Sequence, residues 1–129
     1  MLFRSTNLGG VACSQWDFAS AFLLYKESLE ISQSLGDRQS IAEVLEGLAE
    51  VAFGQGGSRR AARAWGGAER LREKIGAPLP SNERRRYASR IASARAKMGN
   101  DAAFDEAWQE GRAMTLEQAI GYALEKQDD

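Results

Sequence analysis

Histidine is absent from this chain, cysteine occurs once, at position 13, and proline only as Pro78 and Pro80. The missing histidine removes the commonest general base and the commonest metal ligand together. Nucleophile–histidine triads and histidine-based zinc sites are therefore excluded. One cysteine closes no internal disulfide and builds no thiolate cluster. Chemistry would have to rest on carboxylates, lysine, tyrosine, or Cys13 acting without a histidine. The expectation is a non-catalytic chain with no cofactor and no metal. No apolar run is long enough for a signal peptide or a membrane span, so a cytoplasmic protein with no membrane partner is expected. Scarce proline, and the lack of β-branched runs flanked by turn residues, leave little room for strands.

What is present suits one globular domain. The 129 residues are 43% hydrophobic and 27% charged, a length that buries about two thirds of the unfolded surface. The net charge of −1 is unevenly spread. Residues 1–50 carry three basic and seven acidic side chains, residues 51–100 twelve and three, and residues 101–129 two and eight. The blocks are therefore −4, +9 and −6. Such a pattern either neutralises itself within the fold or turns a basic face to an anionic partner. Internal compensation is the simpler reading.

A pattern recurs every 40 residues. Val11-Ala12, Val51-Ala52 and Ile91-Ala92 share that spacing, as do Leu8 and Leu48, Ala21 and Ala61, Tyr25 and Trp65, and Gly36 and Gly76. From Ala61 to Phe104 and from Trp65 to Trp108 the interval is 43, which lengthens the third unit by about one helical turn. A unit this short cannot bury its own apolar face, so successive units stack into a shared core.

Apolar residues three and four apart predict about seven helices, all-α, paired as antiparallel hairpins. The first runs from about Leu2 to Ser14 and the second from Asp17 to Leu35, with Phe18, Ala21, Tyr25, Ser28 or Leu29, and Leu35 on one side. Gly36 suits the left-handed residue past a helix end, and Asp37 caps the third helix, about Arg38 to Phe53. After the turn Gly54–Gly57, Ser58 is the expected cap of a fourth helix burying Ala61, Trp65, Ala68, Leu71 or the stem of Arg72, and Ile75. Pro78-Leu79-Pro80 stops it. Ser81 is expected to cap a basic fifth helix with Tyr87, Ile91, Ala94 and Met98 as its apolar face. Gly99-Asn100-Asp101 breaks to a sixth helix through Phe104, Ala107 and Trp108. Thr115 and Gln118 form a capping box for the last, ending near Glu125.

These positions resemble the tetratricopeptide repeat. Leu8-Gly9, Ala12, Ala21, Tyr25 and Ser28 fall where its signature would fall, and Leu48-Ala49, Ala52, Ala61, Trp65 and Ala68 repeat it. The interval exceeds that family's usual spacing of about 34, and Trp16 stands where a turn glycine is normal. The longer interval is similar to repeats in the C-terminal arms of large bacterial signalling ATPases and LuxR-type transcriptional regulators. Gly76–Pro80, Phe104 to Trp108, Glu110-Gly111-Arg112 and Thr115–Ile120 resemble the terminal segment of such arms. The resemblance implies a right-handed solenoid, with units of about 1–37, 38–77 and 78–126, that binds a partner protein or peptide. It also implies a detached or truncated arm: there is no glycine-rich phosphate loop and no recognition-helix unit.

In that alignment one face of each hairpin's first helix lines a concave groove. The lining residues would be Phe3, Thr6, Gly10 and Cys13 in the first unit. In the second they would be Glu43, Glu46, Glu50 and Phe53, and in the third Glu83, Arg86, Tyr87 and Arg90. Either a peptide or helix occupies this groove, or Arg86 and Arg90 pair with the glutamates across adjacent helices. A small-molecule or peptide sensor is the alternative to a docking module. Glu43, Glu46 and Glu50 share one helix, so a solvated acidic face is expected rather than a metal or acid–base site. Arg59, Arg60, Arg63, Arg70, Arg84, Arg85, Arg86, Arg90 and Arg95 could meet phosphates. Nucleic acid is nonetheless disfavoured, because the chain is acidic overall and lacks interleaved aromatics. Cys13 reads as a small hydrophobe, and Trp65 and Trp108 as core. Leu2, Phe3, Phe18, Phe22, Leu23 and Leu24, with Trp16 in a turn, exceed what one helical face buries. They predict an exposed self-association patch and a homodimer.

Overall fold

A computed structural model describes residues 18–125 of the chain, and these are all-α. The predicted first helix, Val11-Ala12, Cys13, and Leu2, Phe3 and Trp16 of the self-association set lie outside the described residues. Six helices follow one another: α1 Phe18–Leu35, α2 Arg38–Gly54, α3 Ser58–Ile75, α4 Ser81–Met98, α5 Asp101–Ala113 and α6 Leu116–Leu124. None is long and apolar enough to cross a membrane.

Local chemistry sets the boundaries. Gly36, Gly76 and Gly99 adopt φ values of 66°, 66° and 72°, the left-handed region that a residue without Cβ enters without strain. Asp37 accepts the backbone N–H of Ser40 at 3.2 Å and its hydroxyl at 2.7 Å. Those two bonds hold its carboxyl below the usual range. Thr115 and Gln118 close the expected capping box. Asn100 caps α5 through Ala103 N–H at 3.0 Å. Two expectations shift by one residue. Ser58 and Ser81 are the first helical residues, and Gly57 and Pro80 hold the cap positions without a side-chain bond. Proline fits there because it has no N–H to leave unpaired.

The middle of the molecule is α3. Ala61, Ala62, Ala64, Trp65, Gly66, Gly67 and Ala68 are all buried, because packing surrounds this helix on several sides. On one side, Tyr25 and Leu29 of α1 meet Ile41, Val44, Leu45 and Leu48 of α2, and Ala119, Ile120 and Ala123 of α6 close that core. On the other, Trp65 gathers Ala49 and Ala52 of α2, Ala94 of α4, and Phe104 and Ala107 of α5. The α5 backbone lies directly on α3. A Cβ on Gly66 would run into the carbonyl of Trp108, and one on Gly111 into the carbonyl of Arg63. Two glycines at one crossing therefore permit a contact that no other residue pair would allow.

In contrast, α4 stands off. Ala94 is its one buried residue, and Tyr87, Ile91 and Met98 are half-buried. The apolar face predicted for this helix is present, but it only partly reaches the core.

A cavity beside a buried ion pair

The stand-off of α4 leaves a cavity of about 420 Å³ bounded by α2, α3, α4, α5 and residues 76–80. Its walls are mostly apolar: Pro78, Leu79, Tyr87, Ile91 and Trp108. Two charged residues line it from within the protein. Glu46 and Arg72 are 9% and 7% exposed, and Arg72 donates Nε to Glu46 Oε2 at 2.6 Å and an η nitrogen to Oε1 at 2.9 Å. A third N–H of Arg72 reaches the carbonyl of Ala77 at 2.9 Å, which fixes the start of the proline loop. A fork-to-fork pair of this kind is among the stronger ionic contacts, and it satisfies both groups as they leave water. Burial still outweighs Arg72 and pushes the Glu46 carboxyl up.

The aromatic wall continues inward. Tyr87 meets Trp65 edge-on with ring centres 6.1 Å apart. Trp108 lies 6.4 Å from Trp65 and 6.1 Å from Phe104. Burial pushes the Tyr87 phenol well above its ordinary pKa, so it stays a neutral donor. Trp108 donates its indole N–H to Glu69 at 2.9 Å. Glu69 and Glu73 both accept from Arg112, at 2.7 to 2.9 Å. Trp65 Nε1 is buried with no hydrogen-bond acceptor among the described residues, a cost of about 1–3 kcal/mol that its ring contacts must offset.

The groove residues read from the sequence divide into two sets. Glu50, Phe53, Arg86 and Arg90 form one cluster. Arg90 donates to Glu50 at 3.0 Å and its guanidinium lies 5.4 Å from the centre of the Phe53 ring, while Arg86 approaches Glu50 at 3.9 Å. The cross-helix pairing considered above is thus realised for Glu50. Glu46 and Tyr87 instead face the cavity. Glu43 is half-buried and has no ion pair among the described residues. Its burial raises its pKa against the pull of Arg72. The expectation of a solvated acidic face is corrected at Glu46: a carboxylate this buried is held by Arg72, which arrives from α3.

The remaining candidates are scattered. Phe18 and Phe22 are half-buried against the core and Leu24 is half-buried, whereas Leu23 is 61% exposed. Phe22 and Leu23 line a second cleft, of about 270 Å³, with Leu48, Val51 and Ala52. Most of the basic set is compensated internally. Arg63 meets Glu110 at 2.9 Å, Arg70 meets Glu73 at 3.4 Å and Arg95 meets Asp105 at 2.8 Å. Arg60 donates to the carbonyls of Tyr122 and Glu125 at the end of α6. Sequence reasoning missed the Arg72–Glu46 pair and the Gly66–Gly111 crossing. A glycine pair in mid-helix, costing about 1 kcal/mol each against alanine, was the available signal for the second.

No protein-family model, curated protein or solved structure matches this chain.

Proposed function

We propose that this chain is a non-catalytic protein–protein interaction module, built as a tetratricopeptide-like solenoid and similar to the arm of a bacterial signalling ATPase or LuxR-type regulator. The observation that carries this reading is the bond between Arg90 and Glu50, which are 40 residues apart. A bond between α4 and α2 at the interval of the sequence period supports stacked units. Trp65 and Trp108, 43 residues apart, meet in the same way across α3 and α5. Contacts at the repeat interval are what stacked units make, and stacked helical units present extended surfaces suited to docking. The exposed Leu23 beside the Phe22 cleft supports a second role, self-association through the α1 end.

Light scattering across a concentration series tests the self-association. A dimer that Leu23→Glu dissociates supports it, and a monomer at every concentration removes it. The 420 Å³ cavity favours a second reading, a sensor of a small molecule or short peptide, since its size falls within the range of ligand sites. A thermal-shift screen separates the two, because a ligand that binds only the folded state raises the midpoint.

A further inference from the structure

The cavity between α2, α3, α4, α5 and residues 76–80 has a charge pattern that specifies its occupant more closely. Every carboxylate on its wall already faces an arginine. Glu46 is held by Arg72, Glu69 by Arg112, and Glu73 by Arg112 and Arg70. Arg84, also on the wall, has no carboxylate partner among the described residues. Its Nε donates to the carbonyl of Leu79 at 3.1 Å, which anchors the guanidinium beside Leu79 and leaves both η nitrogens for another acceptor. The same cavity is lined by Leu79, Ile91 and the rings of Tyr87 and Trp108.

We propose that this cavity binds a bulky apolar group that carries one carboxylate. The apolar body would sit between Leu79, Tyr87, Ile91 and Trp108, and the carboxylate would meet the Arg84 guanidinium at the rim. A guanidinium fork matches a carboxylate with two parallel N–H bonds. The buried Glu46–Arg72 pair keeps the cavity floor fixed, because neither residue can turn toward the ligand without leaving the other charge unpaired. A cationic ligand would find each wall carboxylate already occupied. The proposal rests on the sensor reading given above and deepens it, by naming the chemistry of the ligand. Two sources supply that chemistry: a free aromatic or branched acid, or an acidic residue next to a large apolar one in a partner peptide.

The test is a heteronuclear NMR titration of the full ¹⁵N-labelled chain. The reporters are the Trp108 indole N–H and the amides of Leu79, Tyr87 and Ile91. The probes are N-acetyl-L-phenylalanine, its uncharged amide, N-acetyl-L-alanine and phenethylamine. The acid is expected to bind at least about fivefold more tightly than the amide, as a charge-assisted hydrogen bond requires, and the alanine compound to give no saturable shift. Arg84→Gln should reduce the acid to the affinity of the amide and Arg84→Lys should restore part of the difference, both with unchanged thermal midpoints because Arg84 is exposed. Comparing the tetrapeptide amides Gly-Phe-Asp-Gly and Gly-Phe-Asn-Gly with the free acid identifies the source. Acid and amide binding equally at these reporters would overturn the carboxylate assignment and leave the sensor reading in place. Tighter binding of phenethylamine, or an acid unaffected by Arg84→Gln, would overturn it equally. Shifts confined to other residues, or none, would remove the site itself, whereas the self-association reading stands or falls on the light-scattering result.

Discussion

Glu46 and Arg72 are 26 residues apart in sequence and meet in the interior through two hydrogen bonds. Helical spacing placed Glu46 on a face with Glu43 and Glu50, and nothing in that spacing distinguishes the buried member from the half-buried ones. The difference comes from α3, which delivers a guanidinium at one level of α2 only. Removing one partner strands the other as a buried charge, so Glu46→Ala or Arg72→Ala should each cost about 3–5 kcal/mol. Replacing both by apolar residues of similar size, Glu46→Leu with Arg72→Met, should cost far less than the sum of the single changes. Urea unfolding of the four proteins measures this, and additive losses would contradict the coupling. Glu43 behaves in the opposite sense. Burial raises its pKa in the folded chain above the usual 4.5, so its ionised form is disfavoured by folding. The penalty is present at neutral pH and disappears as pH falls through the raised pKa toward 4.5. Glu43→Gln should therefore raise the thermal midpoint at pH 7, by up to about 2 °C because much of the side chain stays in water. The gain should vanish about one pH unit below the usual 4.5, where both states are protonated, and a gain that persisted there would point to a cause other than the charge.

At the scale of helices, the sequence was most legible where chain chemistry is local. Asp37, Gly36, Gly76, Gly99 and the Thr115–Gln118 box each act through their own backbone or residues within one turn, so their meaning survives without a partner. The Gly66–Gly111 crossing was illegible for the opposite reason. It depends on two helices whose approach no local rule fixes, and α4 lies between them in the sequence. Gly111→Ala should gain helix propensity yet lose more by pushing a methyl group into the Arg63 carbonyl. A net loss of at least about 2 kcal/mol, or a fall in midpoint on the order of 5–10 °C, is expected. The control is Gly121→Ala in α6. An added Cβ there meets nothing, so that change should stabilise by about 0.5–1 kcal/mol. Circular dichroism melts decide, and equal responses at the two positions would mean that the crossing is looser than described. The same geometry explains the cavity. With α5 drawn tight to α3, α4 keeps only Ala94 buried, and the space lined by Tyr87 and Trp108 becomes the candidate site.

Across the whole molecule, the uneven charge of the sequence becomes a set of inter-helix pairs. The basic middle block meets acidic side chains from both flanks: Arg90 and Arg86 with Glu50, Arg63 with Glu110, and Arg95 with Asp101 and Asp105. Arg112, from the acidic last block, returns to Glu69 and Glu73. The sequence showed that compensation was available, and the fold shows which helices it joins: α4 to α2, α3 to α5, α4 to α5 and α5 to α3. The pairing matters most for α4, which has little buried apolar surface of its own. Each exposed pair contributes only about 0.2–1 kcal/mol, but they act in parallel and in one direction. Raising sodium chloride from about 0.05 M to about 0.5 M shortens the range of such attractions from above 10 Å to below 5 Å. The thermal midpoint should then fall by about 3–10 °C, as loss of one to two kcal/mol implies. Arg112→Gln, which removes the guanidinium shared by Glu69 and Glu73, should start lower at low salt and respond less to added salt. If the midpoint instead rises with salt, repulsion within the basic block outweighs its pairing with the flanks. In that case α4 is held against α3 chiefly by Ala94 and its half-buried apolar neighbours, and the arginines act mainly on whatever approaches from solution.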